Sequence, residues 1–177
     1  KQAGSVDRFL ASEPFHRLMG RAEALYEKNR AGASPITLAM TGHTRLVTNG
    51  FQSNEDNNQP VIGSGTVGVH NGIIVNDADL WNRFPMLTRK SEVDTEVLVN
   101  LLRKHFDDQG DVAWATQQAF REIRGAASIA FLFDKLDDLL LATNTGSLHY
   151  LVNERNTFFA FASERFILAS LCKKLDL

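Results

Sequence analysis

The last third of the chain alternates short apolar runs with turn-forming clusters, and this pattern limits the available folds more than any other feature. Four runs of strand length follow one another, AASIAFLF, LLLAT, LHYLV and TFFAFA, separated by DKLDD, NTGS and NERN. Two helical segments precede them, one beginning in SEVDTEV and one at residues 111–124. Strands, two adjacent helices, more strands and a closing helix predict a layered α+β domain rather than a regular alternation of parallel units.

Small polar residues and glycines mark where the helices should begin and end. In residues 6–30, Ser12 separates a short helix from a longer one and can cap the second. Ser91 is expected to accept from the Asp94 amide while Asp94 reaches back, as in a capping box. Gly125 is expected to end the helix of residues 111–124, and Ser163 to cap the last helix.

The region between the first helices and SEVDTEV is expected to hold strands and loops. Residues 36–41 follow a proline and predict a strand, and residues 52–59, QSNEDNNQ, predict a surface loop by composition. Residues 61–74 predict a hairpin whose glycines serve a turn or a close backbone approach.

Composition narrows the class of partner. The 177 residues are 44% apolar, which predicts one domain with a substantial core. Nineteen basic and 21 acidic residues, without a long block of either sign, argue against nucleic acid or an anionic membrane as partner. No apolar run reaches the roughly 18 to 20 residues that span a bilayer. The first residues lack a signal-peptide core, and Cys172 is the single cysteine, which favours a cytoplasmic protein with a small-molecule or protein partner.

GVHNGII, at residues 68–74, places two poor strand formers among good ones. An asparagine amide beside an unshielded glycine N–H, here Asn71 and Gly72, is a donor pair suited to an oxyanion in acyl transfer. Asn-Gly is also the strongest short hairpin signal, so a type I′ turn is the alternative.

Two charged residues each have both a ligand-binding and a purely structural interpretation. Arg45 in GHTRLVTNG stands among hydroxyls and free amides, which suits a paired hydrogen bond to a carboxylate, although an ordinary surface arginine fits as well. Asp94 either completes the capping box or offers its carboxylate to a ligand ammonium.

The order of these segments is the basis of a resemblance. GHTRLVTNG, NNQP, GVHNGIIVN, SEVDTEV, GAASIAFLF and FAFASERFIL together resemble the class II, N-terminal-nucleophile glutamine amidotransferases over residues 36–171. The likeness is strongest to the glutaminase half of glucosamine-6-phosphate synthase, with the patterns HTRWATHG, NAHP, VHNGIIEN and SETDTEV. The resemblance implies a four-layer αββα Ntn-hydrolase sandwich. Residues 1–177 would form one glutaminase domain that lacks its nucleophile strand and any C-terminal synthase domain.

The resemblance also implies a role for each matching residue. Asn71 and the Gly72 N–H would form the oxyanion hole, and Asp94 would hold the α-ammonium of L-glutamine. Arg45 would bind the α-carboxylate, assisted by Thr48 and by the backbone around Asn49 and Gly50. The implied partner is a synthase or acceptor domain that receives ammonia, in cis or in trans and with a sugar phosphate as one acceptor. No cofactor is implied, and a homo-oligomer is compatible with the family.

The sequence departs from the family at the nucleophile. Family members use an N-terminal cysteine, but this chain opens with Lys1, and Cys172 lies in the last helix among apolar residues, typical of a core position. Truncation, disorder, processing or loss of the reaction would each explain this. The alternative function is therefore a non-catalytic glutamine-binding or interaction module on the same fold. The five histidines show no metal-ligand spacing, so no metal is expected, and His43 and His70 are expected to brace the residues that follow them.

Overall fold

The computed structural model describes residues 5–30, 37–44 and 54–176, and the fold is α+β, as the sequence predicts. The helices are α1 Val6–Leu10, α2 Glu13–Asn29, α3 Asp77–Arg83, α4 Thr95–Gln109, α5 Val112–Glu122 and α6 Arg165–Leu175, with a 3₁₀ turn at Glu55–Asn57. The strands are β1 Val61–Gly63, β2 Thr66–Ile74, β3 Gly125–Phe133, β4 Leu139–Thr143, β5 His149–Val152 and β6 Phe159–Ala162. All four strand-like runs of the last third are confirmed.

The strands form two antiparallel sheets. The larger has the order β1-β2-β3-β4, and β5 pairs with β6 in the smaller. The expected hairpin is confirmed, and its turn lies at Ser64 and Gly65, which both adopt positive φ values of 49° and 71°. Two positive φ angles match the right-handed strand twist that a two-residue hairpin needs.

The core lies between the larger sheet and the pair α4 and α5. Val97, Leu98, Leu101 and Leu102 of α4 are fully buried, and each of the leucines contributes about 2 kcal/mol by removal from water. A strand glycine makes room in this layer: a Cβ on Gly68 would lie 2.4 Å from the ring of Phe131, its partner on β3. Glycine here serves the close approach that the sequence indicated.

The other face of the same sheet is more open. Ile62 of β1 and Ile73 of β2 are 61% and 46% exposed, and Val75, directly after β2, is 71% exposed. In the part of the chain that the structure describes, no helix is both long and apolar enough to cross a membrane.

The start of α4 corrects the predicted capping box. Asp94 is the N-cap residue, but its side chain makes no capping hydrogen bond. Ser91 instead donates from both its N–H and its hydroxyl to Glu96 Oε2, at 2.7 Å each, and the Lys90 N–H donates to Glu96 Oε1 at 2.8 Å. The buried Glu96 carboxylate takes the role because it satisfies three donors at once, and this leaves Asp94 available.

Other predicted boundaries shift for local reasons. Gly125 does not end α5 but opens β3; the left-handed terminator is Gly110, which follows α4 at φ 71°. Ser163 does not cap α6, whose N-cap is Glu164 without a side-chain bond. Ser12 caps α2 as expected, accepting from the Phe15 N–H at 3.4 Å.

Two segments between α2 and β2 differ from their predictions. Residues 37–44 form neither helix nor strand, and Ile36 lies outside the described residues, so the expected strand is absent from the described part of that segment. The loop expected at the surface is partly buried: Asn57 is fully buried, and its amide binds both the Glu92 N–H and the Glu92 carboxylate at 2.9 Å. Helix α3 was not predicted at all.

Candidate active site

Asn71 and Gly72 lie inside strand β2 with their surfaces exposed. They stand opposite Ser128 and Ala127 of β3 in unbroken register, so the type I′ turn interpretation is wrong. Gly72 has a φ of 146°, and a Cβ there would lie 2.0 Å from the Ala126 carbonyl oxygen. Glycine is thus required by the contact with β3.

The pairing of β2 with β3 fixes the direction of the Gly72 N–H. Val75 N donates to Arg124 O, and Asp134 N donates to Gly65 O, so the odd-numbered residues of β2 form the hydrogen-bonded pairs. Gly72 is even-numbered, and its N–H therefore points away from β3, toward the opposite edge of the strand.

Along that edge the neighbouring backbone groups of β2 are satisfied by side chains. The Gln59 amide accepts from the His70 N–H at 2.6 Å and donates to the His70 carbonyl at 2.7 Å. Asp94 Oδ2 accepts from the Ile74 N–H at 2.7 Å. Among the described residues no partner is found for the Gly72 N–H, which lies between these two. The strand edge therefore carries one open donor, next to the Asn71 carboxamide.

Asp94 brings a buried carboxylate to the same strand end. The residue is 8% exposed, and its Oδ2 is bound by Ile74, two positions beyond Gly72. Its second oxygen, Oδ1, has no hydrogen-bond partner among the described residues. The capping interpretation is thus wrong, and Oδ1 is left as an acceptor for a cationic group at the end of β2, beside Ile74.

The His70 side chain lies beneath Gly72. It is 2% exposed; Nδ1 lies 3.1 Å from Thr95 Oγ1, and Nε2 lies 3.3 Å from the Ala126 carbonyl oxygen. Because a carbonyl only accepts, Nε2 carries the proton and Nδ1 accepts from the Thr95 hydroxyl. Burial lowers the pKa of His70 below its ordinary value of 6.5, while the Asp94 charge and the bond to Ala126 oppose that shift in part.

This lowered pKa predicts a pH-dependent stability. Between the folded pKa and about pH 6.5, His70 is protonated in the unfolded chain but neutral in the folded chain. The contribution of neutral His70 to the free energy of unfolding is therefore complete above about pH 6.5 and is lost as the pH falls toward the folded pKa. Urea unfolding between pH 5 and 7.5 should show stability rising with pH by at most about 1.4 kcal/mol per unit. His70→Asn should reduce that slope; an unchanged slope in the variant would contradict the assignment.

The structure brings three of the predicted site residues together and leaves four untested. Asn71, Gly72 and Asp94 converge at the end of β2, whereas Arg45, Thr48, Asn49 and Gly50 lie outside the described residues. Within residues 5–30, 37–44 and 54–176, no group of three or more His, Cys, Asp or Glu side chains is arranged to hold a metal ion.

Sequence reasoning missed the residues that support the site. Gln59 was assigned to a surface loop, and Thr95 received no role. For Gln59 the signal was the motif NNQP. Its place in the order of the family motifs indicates a segment with a defined position in the fold, not an unconstrained surface loop. For Thr95 the signal was its position directly after Asp94, where it can face the histidine of β2.

Comparison with known proteins defines the class. Residues 43–170 match the glutamine amidotransferase domain family. The chain belongs to this family, as its motif order indicates.

The individual relatives are much longer chains. Glutamine–fructose-6-phosphate aminotransferase (isomerizing) of Pseudomonas aeruginosa is 34% identical over 134 residues, covering 74% of this chain and 22% of the relative. The enzyme of the same name from Xanthomonas campestris pv. campestris is 39% identical over 93 residues, covering 51% and 15%. The chain therefore spans less than a quarter of the length of these relatives.

A solved structure shares the fold. The glutamine phosphoribosylpyrophosphate amidotransferase from B. subtilis, complexed with ADP and GMP, superposes with a TM-score of 0.54 at 20% identity. The match covers 72% of this chain and 28% of that one. The expected amidotransferase fold is thereby confirmed.

Proposed function

We propose that this chain is the glutaminase domain of an amidotransferase, which converts L-glutamine and water to glutamate and ammonia. The observation that carries the proposal is the open Gly72 N–H, flanked by satisfied backbone groups and adjacent to the Asn71 carboxamide. A tetrahedral intermediate on the glutamine side-chain carbonyl develops an oxyanion, and two adjacent donors on one strand stabilise it.

The amino-acid end of the substrate needs one anion and one cation. Asp94 Oδ1 is suited to the α-ammonium because the carboxylate is held by the Ile74 N–H and needs no reorganisation to receive it. Arg45 is proposed to bind the α-carboxylate, with Thr48 and the backbone of Asn49 and Gly50. Ligands that lack either charge would leave the opposite group unpaired and bind weakly.

The nucleophile and the acceptor are assigned to parts of the protein outside these residues. In a glutaminase of this class a cysteine thiol, with its own α-amine as the base, attacks the glutamine carboxamide; the C–N bond breaks, ammonia leaves and a γ-glutamyl thioester forms. Water then cleaves the thioester and releases glutamate and the free thiol. Cys172 is half-buried in α6, and no step is assigned to it. Since the relatives are named for fructose 6-phosphate, a sugar phosphate bound by a further domain is the proposed ammonia acceptor. Residues 1–177 are proposed to form the single glutaminase unit.

Activity of the full-length polypeptide that contains this sequence tests the proposal. Purified enzyme supplied with L-glutamine should release glutamate and ammonia in equal amounts, and Asn71→Ala should lower kcat by about 100-fold or more because one oxyanion donor is lost. L-Asparagine, one methylene shorter, is the control substrate. Binding of L-glutamine without turnover would favour the non-catalytic module, and absence of both would refute the site.

A further inference from the structure

Three polar side chains form a row across the larger sheet. Asn71 of β2 stands opposite Ser128 of β3, and Ser128 stands opposite Thr143 of β4. Residues directly opposite in adjacent strands point to the same face of a sheet and lie within side-chain contact distance. The row therefore begins at the proposed oxyanion donor and runs away from it through two hydroxyl groups.

The hydroxyl of Thr143 has a defined direction. Its Oγ1 accepts from the Thr145 N–H at 3.2 Å and from the Gly146 N–H at 3.1 Å. A hydroxyl has two acceptor positions and one proton. With both acceptor positions occupied, Thr143 must use its proton as donor. Ser128 Oγ, at 2.7 Å, is a much closer acceptor than Thr145 Oγ1, at 3.4 Å, so the proton is assigned to Ser128.

The hydroxyl proton of Ser128 then needs an acceptor other than Thr143. Its side chain is almost fully buried, and its Oγ accepts from Thr143, so its O–H points away from β4. The other hydroxyl nearby, Thr145 Oγ1, is at the 3.5 Å limit of a hydrogen bond. Across the sheet stands the Asn71 carboxamide, which makes no hydrogen bond to the described residues and can rotate to present its oxygen.

We propose that Ser128 is a positioning residue that donates its hydroxyl proton to Asn71 Oδ1 and so fixes which end of the Asn71 amide faces the substrate. This inference rests on the proposed function, in which the Asn71 amide acts as an oxyanion donor. An amide held by its oxygen turns its NH₂ group outward, beside the Gly72 N–H. An unrestrained amide would present its oxygen part of the time, and that oxygen would repel the oxyanion.

The free chain provides the first test, because it needs no substrate. Ser128→Ala removes the proton donor. Thr145→Val, the matched control, removes a hydroxyl that lies 3.4 Å from Thr143 Oγ1 and 3.5 Å from Ser128 Oγ and that the proposed row does not use. Heteronuclear ¹⁵N relaxation of the Asn71 side-chain amide should report a restrained group in the wild type and in Thr145→Val, and a mobile group in Ser128→Ala. Equal mobility in the wild type and Ser128→Ala, or an equal increase in both variants, would overturn the proposal.

Steady-state kinetics of the full-length polypeptide provides the second test. Ser128→Ala should lower kcat for glutamine hydrolysis about fivefold to tenfold and leave KM within about twofold, since one hydrogen bond is lost at the transition state and the charged contacts remain. Thr145→Val should match the wild type. A raised KM with unchanged kcat would overturn the positioning role. A wild type that neither binds nor hydrolyses glutamine would refute the proposed function, and the relaxation result would still decide whether Ser128 restrains Asn71.

Discussion

Replacing Gly72 by alanine is expected to lower the free energy of unfolding by about 3 kcal/mol or more, the largest stability change expected in the site. The new Cβ would lie 2.0 Å from the Ala126 carbonyl oxygen and 2.8 Å from His70 Nε2. The φ of 146° is itself strained for any residue with a side chain. The Ala126 carbonyl belongs to the backbone of a paired strand, so it cannot move without breaking strand hydrogen bonds. Relieving the contact therefore requires β2 to shift relative to β3.

Urea unfolding followed by circular dichroism measures this change. Gly20→Ala in α2 is the matched control, because nothing lies within 4 Å of its added Cβ and alanine favours a helix by about 0.5 to 1 kcal/mol. The control should be as stable as the wild type or more stable. If Gly72→Ala also unfolded at the wild-type urea concentration, the strand geometry described for Asn71 and Gly72 would be wrong.

Replacing Asp94 by asparagine is expected to weaken L-glutamine binding about 100-fold while the protein stays folded. An asparagine oxygen can still accept from the Ile74 N–H, so the tie between α4 and β2 survives. The negative charge is lost, and the ligand ammonium must then enter a largely buried position without a counter-charge. Loss of a charge-assisted hydrogen bond in such a place costs about 2 to 3 kcal/mol.

Calorimetric titration with L-glutamine measures the affinity, and Asp108→Asn is the control. Asp108 also lies on α4, but it is exposed and pairs with Lys104 at 2.7 Å, so its replacement should leave the affinity unchanged. Equal affinities for the wild type and Asp94→Asn would show that the carboxylate does not face the ligand. Equal losses in both variants would point to a general effect of net charge.

Local patterns predicted most of the elements but not the contacts that shape the site. The strands of the last third were readable because apolar runs of strand length alternate with turn residues. The capping box failed because the Glu96 carboxylate, two residues further on, collects the three donors that Ser91 and Lys90 offer. No short-range rule favours Glu96 over Asp94 there, since the Asp94 carboxylate is engaged by the Ile74 N–H of a strand distant in sequence.

The candidate site was predictable in its parts and not in its arrangement. The pair Asn71 and Gly72 was proposed as an oxyanion donor from residue chemistry, yet the same dipeptide fits a turn, and only its register with β3 excludes the turn. Asp94 joins the site through the Ile74 N–H, 20 residues earlier in sequence. Gln59 covers the His70 backbone in the same way. Such long-range hydrogen bonds depend on how the strand edge packs against the helix and the loop. The hydrophobic periodicity of the sequence does not specify that packing.

Titration of the ¹⁵N-labelled chain with L-glutamine tests the central claim most directly. The Gly72 and Ile74 backbone amides and the Asn71 side-chain amide should shift together along one saturable curve, while the resonance of Gly110, at the C-terminal end of α4, should stay in place. Resonances that shift elsewhere in the chain while these three remain unchanged at saturation would contradict that claim.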